Sequence, residues 1–202
     1  MTNIIHIGEY FYSEVETDTR KSGEKQFDYV NPRNREVQIE MENICTAYLK
    51  RIGAYIAPGF KQVELDPSAK FEVTASVVIP VFNRVRTVAD AVKSALSQEC
   101  DFDFNVIVVD NHSTDGTSDV LAKIDDPRLV VIVPDRNDLG IGGCWNMAVH
   151  SEHCGTYAVQ LDSDDVYKDA TTLQKVVDVF KKEGCGMVIG SYEMTDFNMN
   201  LL

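Results

Sequence analysis

The sequence lacks a long apolar run, and nothing in it approaches the roughly 20 consecutive apolar residues that a membrane-spanning helix needs. Its first residues also lack a basic stretch followed by an apolar core, so no signal peptide is evident. Cysteine is sparse, and the five cysteines are an odd number without a CxxC pair, which favours reduced thiols over a disulfide framework. These absences predict a cytoplasmic location and no membrane span in this chain.

Basic residues are also in short supply. The chain has 19 Lys and Arg against 32 Asp and Glu, for a net charge of -13. This charge argues against nucleic acid or an anionic membrane surface as a partner, although a local basic patch can still bind phosphates. With 202 residues, 44% of them hydrophobic, the chain suits one sizeable globular domain with an additional segment.

The additional segment is predicted at residues 1–70, ahead of a main domain at 71–202. Residues 1–34 are polar and without regular periodicity, which indicates an arm. Spacings of four, three, four and four then predict an amphipathic helix at 35–52, with an apolar face formed by Val37, Met41, Ile44, Tyr48 and Ile52. Gly53 follows as a C-cap, and a connector leads to the main domain. The apolar face must cover something, most simply the following domain.

Apolar strands and amphipathic helices alternate in the main domain. The predicted strands are 75–80, 106–110, 129–134, 157–162 and 187–191. The predicted helices are 88–98, 117–124, 145–149 and 171–182. Strands that are apolar throughout, each followed by a helix, indicate a parallel sheet covered on both faces. The fold class is therefore α/β, an open and mostly parallel doubly wound sheet preceded by a helical segment.

An acidic cluster ends the fourth predicted strand, at Asp162, Ser163, Asp164 and Asp165. Residues two apart in an extended chain point the same way, so Asp162 and Asp164 can converge on one ligand. Crowded carboxylates are costly unless a cation neutralises them, and Mg2+ or Mn2+ often bridges carboxylates to phosphates. The cluster favours a metal–diphosphate site. The alternative is a turn after the strand, a common use of Asp and Ser.

Residues capable of recognition collect at the carboxyl ends of the strands, where ligands of such sheets bind. They are Pro80, Val81, Asn83, Arg84, Asp110, Arg136, Gly140, Gly142, Gly143, Asp162, Ser163 and Asp164. Arg84 and Arg136 are candidates for phosphate pairing, with solvated surface charge as the alternative. Asp110 is a candidate to accept a base N–H, with turn capping as the alternative. The glycines let a backbone approach a ligand closely, but they form neither a GxGxxG motif nor a P-loop.

Three segments together resemble the family 2 glycosyltransferases of GT-A fold. They are residues 77–84 (Val-Val-Ile-Pro-Val-Phe-Asn-Arg), 108–117 (Val-Val-Asp-Asn-His-Ser-Thr-Asp-Gly-Thr) and 161–165 (Leu-Asp-Ser-Asp-Asp). Their order and spacing match the family over roughly residues 74–192. The resemblance implies a nucleotide-sugar donor, usually a UDP-sugar, and a divalent metal, Mn2+ or Mg2+. It also implies an inverting transfer to a carbohydrate or lipid-linked hydroxyl acceptor, as in polysaccharide biosynthesis.

The resemblance assigns roles residue by residue. Pro80, Val81 and Asn83 would line the nucleoside pocket, and Asp110 would contact the base. The stretch from Gly140 to Asn146 would lie next to the diphosphate and the sugar of the donor. Asp162 and Asp164 would form the DxD pair, with Asp162 near the ribose and the metal and Asp164 on the metal.

The chain departs from the family pattern at two places. Residues 110–112 read Asp-Asn-His where the family often has Asp-Asp-Gly, and the loop at 140–146 lacks the arginine found in many members. The catalytic base belongs to an acceptor half that normally follows the fifth strand, so we name no base and expect it beyond Leu202. A nucleotide-sugar-binding module without catalysis is the alternative function. A sugar-nucleotide pyrophosphorylase is disfavoured because residues 82–86 contain no glycine.

Overall fold

The structure, a computed structural model, describes residues 32–59 and 69–201. The chain divides into two compact units, Met1–Leu65 and Asp66–Leu202. In the first, a 3-10 turn at Pro32–Asn34 leads into helix α1, Arg35–Arg51. Gly53 follows at a φ of 71° and donates its N–H to the Lys50 carbonyl at 3.3 Å, which confirms the predicted helix and its glycine end. No residue of α1 is buried. The predicted arm lies almost wholly outside the described residues.

The second unit is built on a parallel sheet of four strands in the order β3-β2-β1-β4. The strands are β1 (Ala75–Val81), β2 (Phe104–Asp110), β3 (Leu129–Ile132) and β4 (Tyr157–Gln160). The helices are α2 (Val88–Leu96), α3 (Thr117–Leu121), α4 (Gly140–Val149) and α5 (Thr172–Glu183). All seven residues of β1 are buried, because β1 has a neighbouring strand on each side and helices on both faces.

The two faces of the sheet carry separate apolar clusters. On the face we call the α2 face, alternate residues of β1 and β2 pack with α2, α3 and α5, in a cluster that includes Val77, Ile79, Val106, Val108, Val92, Leu121 and Leu173. On the opposite α4 face, Val78, Ile107 and Val109 pack with Cys144 and Ala148. The alternation follows from the two-residue repeat of a strand. The predicted class, an open parallel sheet with helices on both faces after an N-terminal helix, is confirmed.

Several predicted elements differ from the observed ones. The predicted fifth strand at 187–191 is wrong: this stretch pairs with no strand, and Met187 and Ile189 are 73% and 84% exposed. An apolar run becomes a strand only through a ladder partner, which the local pattern cannot reveal. The predicted helix at 145–149 begins earlier, at Gly140, so the glycines form its first turn. Strands β3 and β4 each end two residues before the predicted end.

Within residues 32–59 and 69–201, no helix is long and apolar enough to cross a bilayer.

Candidate functional site

A pocket of about 470 Å3 opens at the carboxyl ends of the strands. It is lined by Pro80, Val81, Phe82, Arg84, Asn111, Gly140, Ile141, Cys144, Asp162, Ser163 and Asp164. The chain runs outward from β1 to β2 and β3, and then returns to place β4 on the other side of β1. The helices after β1 and β4 pack on the α2 face, whereas the helix after β3 packs on the α4 face. The pocket lies at the carboxyl edge of the strands, which is where open α/β sheets bind their ligands.

The loop after β1 is fastened to the loop after β2 by side-chain hydrogen bonds. Asn83 has a φ of 54°, and its backbone N–H donates to Ser113 Oγ at 2.9 Å. Its side-chain Oδ1 accepts the Thr114 N–H at 2.8 Å. The backbone N–H of Arg84 donates to Thr117 Oγ1 at 2.9 Å. These bonds hold the backbone of Arg84 at the pocket wall. The Asn83 side chain joins the two loops and is not among the lining residues, and its predicted contact with the nucleoside stays a prediction.

Asp115 completes the same junction. Its carboxylate accepts the Val85 N–H at 3.0 Å and also bonds the hydroxyl and N–H of Thr117. The Thr117 hydroxyl, followed by the Val85 N–H, holds the pKa of Asp115 below its ordinary value. The sequence Ser-Thr-Asp-Gly-Thr after β2 therefore supplies side chains that accept backbone N–H groups of the loop after β1.

Asp110 and its neighbour Asn111 point in different directions. Asp110, which is 1% exposed, lies on the α2 face and accepts hydrogen bonds from the Ser113 N–H and the Ser118 hydroxyl. Asn111 follows Val109 by two residues, donates its N–H to the Val81 carbonyl at 2.9 Å and lines the pocket. Its Oδ1 atom is buried without a hydrogen-bond partner. The predicted contact of Asp110 with a base stays a prediction, and Asn111 is a pocket residue that the sequence analysis missed.

The acidic cluster and Arg84 form the charged side of the pocket. Asp162 accepts a hydrogen bond from Gln160 Nε2 at 3.0 Å, and Asp164 Oδ2 lies 3.7 Å from Arg84 Nε. Loss of solvation, and then the charges of Asp162 and Asp164, raises the pKa of Asp165. The carboxylates of this cluster therefore lie close enough to disfavour ionisation of Asp165.

A divalent metal fits this donor set. Asp162 and Asp164 both line the pocket and offer the oxygen ligands that Mg2+ and Mn2+ prefer. Among the residues that the structure describes, no three His, Cys, Asp or Glu side chains are grouped to hold a metal on their own. The two carboxylates would therefore share the metal with ligand oxygens or water, as Mg2+ sites at phosphates commonly do.

The segment after β3 contributes residues of α4 to the pocket, namely Gly140, Ile141 and Cys144. Gly140, at a φ of 59°, and Ile141 line the pocket in the first turn of α4. Gly142 and Asn146 lie on the same helix, are exposed, and are not among the lining residues. Arg136 forms an exposed ion pair with Asp138, which raises the pKa of Arg136, and it does not line the pocket. The predicted donor contacts of these three residues stay predictions.

Part of the apolar lining of the pocket was not predicted, although Pro80 and Val81 were among the predicted residues and do line the pocket. Phe82, Ile141 and Cys144 line it, and burial followed by the charge of Asp110 raises the pKa of the Cys144 thiol. A raised pKa keeps this thiol protonated, so it packs as a small apolar group. Strand alternation is the signal that would have identified Asn111, since Val109 and Asn111 belong to the same face. No comparable signal marks Ile141 or Cys144.

An apolar wall, a buried amide, a pair of carboxylates and an arginine at the carboxyl edge of a parallel sheet suit an anionic ligand held together with a cation. The model of glycosyl transferase family 2 matches residues 76–200, and the chain belongs to this family. The GT-A-type fold expected from the resemblance is thereby confirmed.

Several known proteins are similar to part of this chain, and each of them is much longer than the part that it shares. The succinoglycan biosynthesis protein ExoO of Rhizobium meliloti strain 1021 is 38% identical over 45% of this chain and 25% of its own length. The Escherichia coli enzyme WfaP, named UDP-Glc:alpha-D-GlcNAc-diphosphoundecaprenol beta-1,3-glucosyltransferase, is 36% identical over 46% of this chain and 36% of its own length. The structure of S. aureus TarS 1-349 in complex with UDP-GlcNAc is 28% identical, with a TM-score of 0.48, over 55% of this chain and 32% of that one. The chain thus spans about a quarter to a third of these three proteins.

Proposed function

We propose that this chain is the donor-binding part of an inverting, metal-dependent glycosyltransferase that uses a nucleotide-diphosphate sugar, most simply a UDP-sugar. The observation that carries the proposal is the pocket itself, whose lining combines Asp162, Asp164 and Arg84 with the residue that holds an unpartnered buried amide oxygen. Family membership and the UDP-Glc named for WfaP support the same donor class.

The proposed contacts follow the chemistry of each part of the donor. Asn111 Oδ1 would accept the ring N–H of the base, which satisfies a buried acceptor. Arg84 would pair with the diphosphate, because a guanidinium presents a planar fork of donors to phosphate oxygens. Asp162 and Asp164 would hold Mn2+ or Mg2+. When bound, this metal neutralises charge on the leaving diphosphate as a Lewis acid.

The acceptor is proposed to be a hydroxyl of a carbohydrate or of a lipid-linked saccharide. The support is the succinoglycan synthesis named for ExoO and the diphosphoundecaprenol acceptor named for WfaP. We assign the catalytic base to no residue of this chain. A cytoplasmic location is proposed on the support of the five free cysteines, Cys45, Cys100, Cys144, Cys154 and Cys185.

Calorimetric titration of UDP, with and without Mn2+, tests the donor site. The wild-type chain should bind UDP in a Mn2+-dependent way, and Asp164→Asn should lower the affinity with Mn2+ by at least about tenfold, since one charged ligand is removed. Asp125→Asn is the matched control, because Asp125 is an exposed aspartate outside the pocket. Failure of the wild-type chain to bind UDP, GDP, ADP or CDP would overturn the proposal. UDP binding without sugar transfer in the longer protein would favour the non-catalytic module.

A further inference from the structure

Arg84 stands between the two charged partners that the proposed function requires. Its Nε lies 3.7 Å from Asp164 Oδ2, and its Nη1 donates to the Asn83 carbonyl at 3.3 Å. The side chains of Arg84 and Asp164 are 47% and 54% exposed. The contact is longer than a good hydrogen bond, so the two groups form a loose, solvated ion pair that separates at little cost.

A divalent cation on Asp164 and the guanidinium of Arg84 repel one another. Both carry positive charge, and both are attracted to the oxygens of the same carboxylate, so each weakens the attraction of the other. A metal on Asp164 therefore lowers the cost of moving the Arg84 guanidinium away from this carboxylate. The backbone of Arg84 stays in place through its bond to Thr117 Oγ1, so only the side chain has to move. The displaced guanidinium remains at the wall of the same pocket.

We propose, on the basis of the proposed donor site, that Arg84 is an exchangeable counter-ion that couples metal binding to diphosphate binding. Without a diphosphate, Arg84 neutralises Asp164 and competes with the metal. When a nucleoside diphosphate and a metal bind together, the metal takes Asp164 and the guanidinium moves to phosphate oxygens. Each ligand then strengthens the binding of the other, because each removes a cost from the other's binding. Arg84 is thus a diphosphate-binding residue that also lowers the affinity of the donor site for the metal alone.

The substitution Arg84→Gln separates this role from simple phosphate binding. Titration of Mn2+ alone, followed by electron paramagnetic resonance of the free ion, should show affinity rising roughly two- to fivefold in Arg84→Gln, the scale of an exposed ion pair. Titration of UDP in saturating Mn2+ should show affinity falling roughly ten- to hundredfold, the scale of a lost charge-assisted hydrogen bond. The two affinities move in opposite directions, which loss of folding would not produce.

Arg86→Gln is the matched control. It removes the same charge from the same loop, but the Arg86 guanidinium lies 4.8 Å from the centre of the Phe197 ring and has no contact with Asp164. Both affinities should change less than about twofold, because a more distant exposed charge is screened. Arg84→Lys should keep most of the competition for Mn2+, since it retains the charge.

The outcomes distinguish this inference from the function on which it rests. If Arg84→Gln weakens UDP binding while Mn2+ alone binds as in the wild type, Arg84 is a phosphate ligand only and the coupling is wrong. An equal rise in Mn2+ affinity in Arg86→Gln would show a general charge effect and would also overturn it. Absence of Mn2+-dependent UDP binding in the wild type would overturn the donor site itself.

Discussion

Asp110 and Asn111 are adjacent residues that serve opposite faces of one strand end. Asp110 bonds the Ser113 N–H and the Ser118 hydroxyl on the α2 face, and Asn111 lines the pocket on the α4 face. The sequence pattern identified this strand end as part of the site but did not identify Asn111 as a pocket residue, because a strand boundary shifted by one residue exchanges the faces. At the residue scale, register decides which side chain lines the pocket.

Asn111→Ala and Asp110→Ala should therefore have different effects. Asn111→Ala should lower UDP affinity in Mn2+ roughly three- to tenfold, the value of one neutral hydrogen bond, with little change in the thermal midpoint. Asp110→Ala should lower the free energy of unfolding by roughly 1–3 kcal/mol, because it leaves polar partners of a buried carboxylate unsatisfied. Calorimetry and urea unfolding measure the two effects. Unchanged UDP affinity in Asn111→Ala would contradict the base contact.

The effect of Asp165 on stability can be measured through its ionisation. Its pKa is raised above the ordinary value of 3.8, so the ionised carboxylate destabilises the folded state. Asp165→Asn should increase the free energy of unfolding at pH 7 by no more than about 1 kcal/mol, because water screens the exposed part of the group. The gain should disappear below the ordinary pKa, where the carboxyl is protonated in both states, and grow as pH rises through the raised folded value.

Urea unfolding at several pH values tests this prediction. Asp125→Asn is the control, because Asp125 is an exposed aspartate outside the cluster. A gain for Asp165→Asn that persists unchanged at low pH would contradict the charge explanation.

At the scale of elements, two glycines have opposite structural roles. A Cβ on Gly155 would lie 2.8 Å from the Val73 carbonyl oxygen and 3.0 Å from the Ala75 nitrogen, both backbone atoms at the start of β1. A Cβ on Gly142 would meet nothing within 4 Å, and Gly142 lies inside α4. The first glycine permits a close approach of two chain segments, and the second only weakens a helix.

Gly155→Ala should lower the free energy of unfolding by roughly 1–3 kcal/mol, because backbone atoms yield poorly to an added methyl. Gly142→Ala should raise it by roughly 0.5–1 kcal/mol through improved helix propensity. Thermal and urea unfolding of the two variants measure the difference. Stabilisation by Gly155→Ala, or destabilisation by Gly142→Ala, would contradict the role given to the corresponding glycine.

Elements were predictable from the sequence where local pattern and tertiary packing agree. Strands β1 and β2 are buried on both faces and read as continuous apolar runs, so both were found with nearly correct bounds. The predicted start of helix α4 lies five residues after its observed start at Gly140. The three glycines of its first turn have low helix propensity, and tertiary packing overrides this preference. The stretch at 187–191 looked like a strand because it is apolar, and no neighbouring strand pairs with it.

At the scale of the whole molecule, the two units should be separable. Helix α1 contributes no buried side chain, whereas the second unit contains both apolar clusters and the pocket. A fragment of residues 66–202 should keep the UDP affinity of the full chain. Its thermal midpoint should shift by less than about 2 °C, the effect of a stability change well under 1 kcal/mol.

Differential scanning calorimetry and UDP titration of the fragment and the full chain test this separation. Loss of cooperative unfolding in the fragment would contradict the predicted domain boundary near Phe71. Retained unfolding with lost UDP binding would show that residues 1–65 contribute to the donor site.

The division of the sheet into two faces also bears on how such a domain diverges during evolution. The α2 face holds the larger apolar cluster, and the α4 face holds the lining residues Asn111 and Cys144. A single substitution at a strand end on the α4 face can alter ligand preference while the larger cluster stays intact. At Asn111, selection on the pocket can therefore proceed with little effect on folding, whereas at Val81, which lines the pocket and belongs to the α2-face cluster, the two are coupled.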